Sequence, residues 1–181
     1  GLAEAAFDRA LFRARRLAEK TFADDVHFYV VTLSATTFAA KAMVAPGQLR
    51  AAFPDFSHPS VEASAAVFHQ RFSTNTMPHW RLAQPFRLLA HNGEINTIKA
   101  NRNWATARAA KYKSPLVDFS DLGELVTTKG SDSQSLDNML EVLVAGGLDV
   151  LVAMRVLIPP AWSSREDLDD DLEAFYEYYA L

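Results

Sequence analysis

The sequence predicts an α+β fold in which helices lie on both sides of antiparallel sheet. Apolar residues recur at helical spacing near the start of the chain and again in its second half, and β-rich runs lie between them. The 181 residues are 49% hydrophobic and 22% charged, the ordinary composition of a soluble globular domain. Helices covering antiparallel sheet are one of the few layer arrangements that bury all of these faces.

Four segments show the periodicity of amphipathic helices. In the first of them, Phe7, Leu11 and Leu17 fall on one face. We predict helices over residues 4–20, 96–110, 133–145 and 165–179. Ser163 or Ser164 is expected to cap the last helix, because a serine oxygen can accept a hydrogen bond from a backbone N–H of the first turn.

Four other runs are rich in β-branched and aromatic residues. We predict strands over residues 27–33, 37–44, 65–72 and 86–90. A small polar turn joins the first two runs, which indicates a hairpin. In the third run His69 and Arg71 share one side, because side chains two positions apart point the same way. We expect the chemistry where these strands end.

An apolar run at residues 142–158 is predicted to be core and not a membrane span. It contains Asp149 and Arg155 and is shorter than the roughly 20 apolar residues that a bilayer requires. Residues 1–8 have neither the basic flank and apolar run of a secretory signal nor the acid-poor character of a transit peptide. These features predict no export, and the expected location is the cytoplasm, or a plastid if the source is a photosynthetic eukaryote.

Composition also excludes several classes of function. The net charge of -4 provides no general attraction for nucleic acid or anionic membranes. The chain has no cysteine, which excludes disulfides, thiolate metal clusters and a thiol nucleophile within these residues. The five histidines lack the H-x-x-x-H and H-E-x-x-H spacings, so we predict no metal site. A glycine-rich phosphate loop is also missing from the sequence.

Arg71 stands at the end of a predicted strand and is followed by small polar residues, among them Thr74. On this feature alone, a surface ion pair beside an ordinary turn is the favoured interpretation. A guanidinium is also the side chain best suited to bind a carboxylate through two parallel hydrogen bonds.

Asn92 and Gly93 follow an apolar run and form one of the strongest short signals of a hairpin turn. That turn, of type I′, requires positive φ at both residues. The functional alternative is a pair of donors for a developing oxyanion, the Asn92 carboxamide and the Gly93 amide. The two interpretations are compatible.

Asp132 lies between two serines directly before a predicted helix. Aspartate or serine at that place is typical of a helix N-cap, which is the more common explanation. A carboxylate turned into a pocket could instead accept hydrogen bonds from a ligand ammonium. An amino-acid site would need such a group opposite a carboxylate-binding arginine.

Three motifs, taken in order, resemble the glutaminase domain of the glutamate synthase large subunit. They are His-Gln-Arg-Phe-Ser-Thr-Asn-Thr at 69–76, His-Asn-Gly-Glu-Ile-Asn-Thr at 91–97 and Ser-Asp-Ser at 131–133. The resemblance extends from Phe7 to Tyr179. It implies a glutamine amidotransferase of the N-terminal nucleophile hydrolase type, with a four-layer α-β-β-α sandwich that is incomplete here. Residues 1–181 would form the central and C-terminal part of that single domain.

The resemblance also implies roles for individual residues. Arg71 resembles the residue that binds the α-carboxylate of glutamine, and Asp132 resembles the partner of its α-ammonium. Asn92 and Gly93 would form the oxyanion hole, and Thr74 part of the pocket wall. The catalytic residues implied are therefore Asn92 and Gly93, and the substrate-binding residues Arg71, Thr74 and Asp132.

The family's nucleophile is an amino-terminal cysteine, whereas this sequence begins with Gly1 and has no cysteine. We therefore expect a domain fragment that holds glutamine but is inactive alone. The alternative is a non-catalytic glutamine-binding or interaction module. In an intact synthase, FMN and an iron-sulfur cluster would lie in other domains, and no cofactor is expected in this chain. Expected partners are L-glutamine, the other synthase domains and a small subunit or ferredoxin.

Overall fold

The computed structural model describes residues 2–70, 77, 79–165 and 167–179. Six α-helices lie within these residues. They are α1 (Leu2–Thr21), α2 (Leu49–Ala52), α3 (Ile98–Arg108), α4 (Asp132–Ala145), α5 (Val150–Leu157) and α6 (Asp170–Tyr179). Short 3-10 turns occur at Pro46–Gln48, Pro54–Ser57, Trp80–Leu82, Ala109–Lys111 and Trp162–Ser164.

The four predicted helices are confirmed as α1, α3, α4 and α6. The predicted start of the last helix is wrong, because Ser163 and Ser164 lie in a 3-10 turn and α6 begins at Asp170. There the Asp169 carboxylate accepts a hydrogen bond from the backbone N–H of Asp171. Acidic side chains in the first turn suit the positive end of the helix dipole.

The apolar run at 142–158 divides into two helices with a turn between them. Gly147 has φ +102°, a conformation that favours glycine, and it separates the end of α4 from α5. Asp149 caps α5, because its Oδ1 accepts from the backbone N–H groups of Leu151 and Val152 at 2.9 and 3.3 Å. Helices α4 and α5 pack on each other, and Ala153 is fully buried. None of the helices described is long and apolar enough to cross a membrane.

The predicted α-β-β-α sandwich is wrong for the described residues, none of which forms a β-strand. The four runs that were expected to be strands do not pair in a sheet where the structure describes them. Residues 71 and 72, at the end of the third run, lie outside the described residues. The predicted hairpin between 27–33 and 37–44 is likewise absent from the structure.

Side chains take up the backbone groups that a neighbouring strand would otherwise bind. The Arg81 Nη2 donates to the carbonyl of Phe28 at 2.8 Å, and the Arg87 Nη2 donates to that of Val30 at 2.7 Å. The hydroxyl of Thr32 accepts from the N–H of Ala39 at 3.2 Å. A high β-propensity therefore does not by itself produce a strand here, since the propensity depends on having a partner strand.

The main apolar core lies between α1, α4 and the segment at 117–126. Its buried members are Phe12, Val117, Phe119, Leu122, Leu125, Val142 and Ala145. Polar side chains of α1 also bind the segment at 117–126 outside the apolar core. The Arg13 Nη2 pairs with the Asp121 carboxylate at 2.8 Å, and the Lys20 Nζ donates to the Asp121 carbonyl at 2.7 Å. Helix α1 is thus held by apolar and ionic contacts together.

A buried ionic cluster joins α1 and α4 to the segment that precedes the candidate site. Arg15 is only 1% exposed and pairs with Glu19 of its own helix and with Glu141 of α4. Glu19 in turn binds Arg87, at 2.6 Å between Oε1 and Nη2. Because each buried charge has an opposite partner, burial is tolerated, and Arg87 is held against both helices.

Candidate functional site

A buried carboxylate organises the turn that leads into the candidate site. Asp137 of α4 is fully buried, and it accepts hydrogen bonds from the backbone N–H groups of Arg87, Leu88 and Leu89 at 3.3, 2.9 and 3.2 Å. Burial raises the pKa of the Asp137 carboxyl above its ordinary value, while these N–H donors oppose the rise. The N–H of Phe86 donates to the carbonyl of Leu89 and closes the turn.

The next contact is made by Gln84, which binds the backbone of His91 at two points. The Gln84 Oε1 accepts from the His91 N–H at 2.6 Å, and the Gln84 Nε2 donates to the His91 carbonyl at 2.7 Å. One side chain therefore satisfies both backbone polar groups of the residue directly before Asn92.

The imidazole of His91 points to the start of α4. Its Nδ1 lies 2.8 Å from the Oγ of Ser133, which is 3% exposed. On the other side of the ring, a Cβ added to Gly93 would lie 2.7 Å from the Nε2 of His91. Only glycine fits at position 93 while the imidazole keeps this place.

Asp132 connects the same loop to α4 by a second route. Its Oδ2 accepts from the backbone N–H of Ile95 at 2.8 Å, and its Oδ1 accepts from the N–H and Oγ of Ser133 at 2.6 and 3.1 Å. Partial burial raises the pKa of Asp132, but the three hydrogen bonds outweigh this and keep the pKa below its ordinary value. The group is therefore a carboxylate at neutral pH.

Asp132 was open to two interpretations, a helix N-cap and a carboxylate that faces a ligand, and the structure excludes the first. Ser131 is the N-cap of α4, because its Oγ accepts from the N–H of Gln134 at 3.1 Å. Asp132 is the first residue of the helix and does not fill the cap position. Its carboxylate instead faces the loop at 91–95.

The type I′ turn predicted for Asn92 and Gly93 is wrong, because neither residue has positive φ. The loop is instead shaped by the contacts of its neighbours, His91 and Ile95. Asn92 and Gly93 are exposed. The Asn92 carboxamide makes no hydrogen bond to the part of the chain that the structure describes, and it is available to a ligand.

Arg102 of α3 braces the N-terminal end of α4. Its Nη2 donates to the carbonyls of Gly130 and Ser131 at 2.6 and 3.0 Å, and its Nε donates to the Oγ of Ser135 at 2.9 Å. These contacts hold the start of α4, which carries Asp132, to α3.

Sequence reasoning missed the supporting residues Gln84, Arg102, Ser133 and Asp137. One signal was present for Asp137, which recurs at helical spacing with Ser133 and thus places a carboxylate on the inward face of α4. A buried acid in such a place needs hydrogen-bond donors. The segment that donates them could not be inferred from spacing.

The structure brings together three of the five predicted site residues, Asn92, Gly93 and Asp132. The other two, Arg71 and Thr74, lie outside the described residues. Two cavities of about 310 and 130 Å³ adjoin α1, and neither is lined by Asn92, Gly93 or Asp132. The described part of the site is formed by the loop at 91–95, where Asn92 and Gly93 are exposed, and by the start of α4, where Asp132 is partly buried.

The order and spacing of these residues agree with one family over the full length of the chain. The family described as glutamine amidotransferases class-II matches residues 1–181. The chain belongs to this family. The resemblance stated from the three motifs is thereby confirmed.

Several relatives are glutamate synthases. The chain is similar to the glutamate synthase [NADH] of Schizosaccharomyces pombe, 39% identical over 177 residues, which cover 96% of this chain and 8% of that protein. It is 40% identical over 185 residues to ferredoxin-dependent glutamate synthase 2 of Synechocystis sp., and the match covers 99% of this chain and 12% of that protein. The glutamate synthase [NADPH] large chain of Azospirillum brasilense is 38% identical over 182 residues, and the match covers 98% of this chain and 12% of that protein. The chain thus spans only 8 to 12% of these relatives.

Proposed function

We propose that this class-II glutamine amidotransferase chain is the glutamine-binding part of the glutaminase domain of a glutamate synthase. In the intact protein that domain would release ammonia from L-glutamine for the amination of 2-oxoglutarate. The observation that carries the proposal is the 2.8 Å hydrogen bond between the Ile95 N–H and the Asp132 Oδ2. It places an ionised carboxylate beside the loop that bears Asn92 and Gly93.

The Asp132 carboxylate can bind the α-ammonium of glutamine. A carboxylate has about four lone-pair positions, and Oδ2 accepts only one hydrogen bond from the described residues. We propose that its remaining capacity serves the ammonium. Arg71 would bind the α-carboxylate through two parallel bonds, and Thr74 would form part of the pocket wall.

Asn92 and Gly93 would stabilise the charge that develops on the side-chain carbonyl oxygen of glutamine. In the reaction, a thiolate adds to that carbonyl carbon, and the oxyanion then collapses with cleavage of the C–N bond, so that protonated nitrogen leaves as ammonia. Water hydrolyses the resulting thioester to glutamate and restores the thiol. The exposed Asn92 carboxamide and the Gly93 N–H are the donors at hand for the oxyanion.

The thiolate must come from outside these 181 residues, which contain no cysteine. We therefore propose that residues 1–181 form the central and C-terminal part of the glutaminase domain and are inactive as an isolated chain. Flavin and iron-sulfur chemistry would belong to other domains of the intact protein, with a small subunit or ferredoxin as electron-transfer partner. The location proposed is the cytoplasm or a plastid.

A second candidate is a module that binds glutamine without hydrolysing it. The two differ in one measurement on the full-length protein. An enzyme releases ammonia from glutamine and loses this activity after alkylation of its thiol. A binding module shows a glutamine-dependent shift in thermal stability but releases no ammonia.

Asn92→Ala tests the proposed function in the full-length protein. Loss of one oxyanion donor is expected to lower the kcat of glutamine hydrolysis by about 10²- to 10³-fold. Asn103→Ala is the matched control, because Asn103 is an exposed asparagine on α3. Turnover close to normal in Asn92→Ala would remove Asn92 from the oxyanion hole.

A further inference from the structure

We propose that Gln84 is a positioning residue for the loop at 91–95, which bears the oxyanion donors Asn92 and Gly93. This inference rests on the proposed function. Gln84 touches neither Asn92 nor Gly93 by any hydrogen bond described here. It acts through His91, the residue directly before them. By holding both backbone polar groups of His91, it sets the direction in which the Asn92 side chain and the Gly93 N–H leave the loop.

A carboxamide is well suited to this task because it carries an acceptor and a donor side by side. The acceptor of Gln84 meets the His91 N–H at 2.6 Å, and its donor meets the His91 carbonyl at 2.7 Å. The two bonds together restrain the rotation of the His91 peptide units on both sides. A shorter or apolar side chain would leave both backbone groups to water and release this restraint.

Gln84 can hold His91 in place because its own position is fixed. The neighbouring residues Ala83 and Phe86 are buried, at 6% and 3% exposure. The Lys41 Nζ donates to the Ala83 carbonyl at 2.6 Å. The turn that follows is bound by the buried Asp137. The two hydrogen bonds from Gln84 to His91, here called the Gln84 clamp, therefore fix the exposed loop at 91–95 relative to the packed segment around Gln84.

The other contacts of the loop explain why the effect should fall on kcat and not on KM. Asp132, the proposed ammonium partner, is held by Ile95 and Ser133 and makes no hydrogen bond to Gln84 within the described residues. Asn92 and Gly93 directly follow His91, whereas Asp132 belongs to α4, so loss of the two Gln84 bonds is expected to move the oxyanion donors more than the ammonium site. A displacement of about 1 Å in a reacting group can cost on the order of 10²-fold in rate.

The test uses the full-length enzyme and compares Gln84→Ala with Gln48→Ala. Gln48 is exposed, and its side chain only accepts from Ala45 within a surface turn. We expect Gln84→Ala to lower the kcat for glutamine hydrolysis by about 10- to 10²-fold and to change KM by less than about 3-fold. Gln48→Ala should leave both constants unchanged.

Gln84→Glu provides a readout that a general loss of structure would not move. An ionised carboxylate can accept from the His91 N–H but cannot donate to the His91 carbonyl, whereas the protonated acid can do both. The ratio of variant to wild-type kcat is therefore expected to rise as the pH falls through the pKa of the new carboxyl group. This variant also decides the matter if Gln84→Ala does not fold.

Asn92→Ala, measured in parallel, separates the two proposals. A normal kcat in Gln84→Ala together with a reduced kcat in Asn92→Ala would overturn the role of Gln84 and leave the proposed function standing. Normal kcat in both variants would overturn both. A ratio for Gln84→Glu that does not change with pH would also overturn the positioning role.

Discussion

At the scale of single residues, Asp132 and Asp137 show how placement on one helix gives two carboxylates opposite properties. Asp137 is fully buried, and burial raises its pKa. Asp132 is only partly buried, and hydrogen bonds from Ile95 and Ser133 keep its pKa low. The first carboxylate serves the fold by binding a backbone turn, and the second remains charged at the surface where a ligand cation can reach it.

Asp132→Asn is expected to raise the KM for glutamine in the full-length protein, because the amide lacks the charge that would attract the α-ammonium. The folded pKa of Asp132 lies below its ordinary value of 3.8, so the carboxylate stays ionised above that pH and is lost only as the pH falls through the folded pKa. Wild-type KM should therefore show no rise from this group down to about pH 5.

Arg71→Lys provides the complementary measurement at the opposite end of the ligand. The charge is retained but the two parallel donors are lost, so KM should also rise. A KM unchanged in both Asp132→Asn and Arg71→Lys would contradict the proposed glutamine site. Steady-state kinetics of glutamine hydrolysis gives the KM of both variants and of Asn103→Ala, which serves as the control.

At the scale of elements, α4 connects the site to the core. Its first turn carries Asp132 and Ser133 toward the loop at 91–95, and its later turns carry Val142 and Ala145 into the apolar cluster. Side chains three and four positions apart lie on one face, so a single helix can serve both purposes. A change at its N-terminus should therefore affect stability and the site together.

Ser131→Ala removes the N-cap of α4, because the Ser131 Oγ accepts a hydrogen bond from the Gln134 N–H. We expect the free energy of unfolding to fall by about 0.5–2 kcal/mol. Urea denaturation of the 181-residue chain measures this. Ser164→Ala serves as the control, since the Ser164 hydroxyl only donates to the Ala161 carbonyl at the exposed surface. An equal loss in both variants would contradict the capping role.

At the scale of the whole molecule, one apolar cluster holds α1 and α4 to the segment at 117–126. Leu122 lies in this cluster at 2% exposure, between two helices that are far apart in the sequence. Burial of such a side chain is among the larger single contributions to a domain's stability.

Leu122→Ala is expected to lower the free energy of unfolding by about 2–5 kcal/mol, because it removes buried methyl groups and leaves a cavity. Leu151→Ala is the matched control, since Leu151 is 76% exposed and should lose no more than about 0.5 kcal/mol. Urea denaturation of both variants provides the comparison. Similar losses would show that the cluster around Leu122 does not carry the stability assigned to it.

The sequence alone predicted the main helices, which the structure confirms, and named the candidate site residues, whose roles stay predictions. Helical periodicity is a local property, so residues 4–20 and 133–145 predicted α1 and α4 with small errors at their ends. The motifs around Asn92 and Asp132 indicated the family in the same way, because the order of residues along the chain is sufficient to recognise it.

The tertiary structure alone decided how the β-rich runs are arranged and what supports the site. A strand forms only where another strand binds its backbone, and here the carbonyls at Phe28 and Val30 are bound by arginine side chains. The two hydrogen bonds between Gln84 and His91 join a packed segment to the loop at 91–95, and no periodicity in the sequence records them. Such contacts depend on distances in space, and spacing along the chain does not encode them.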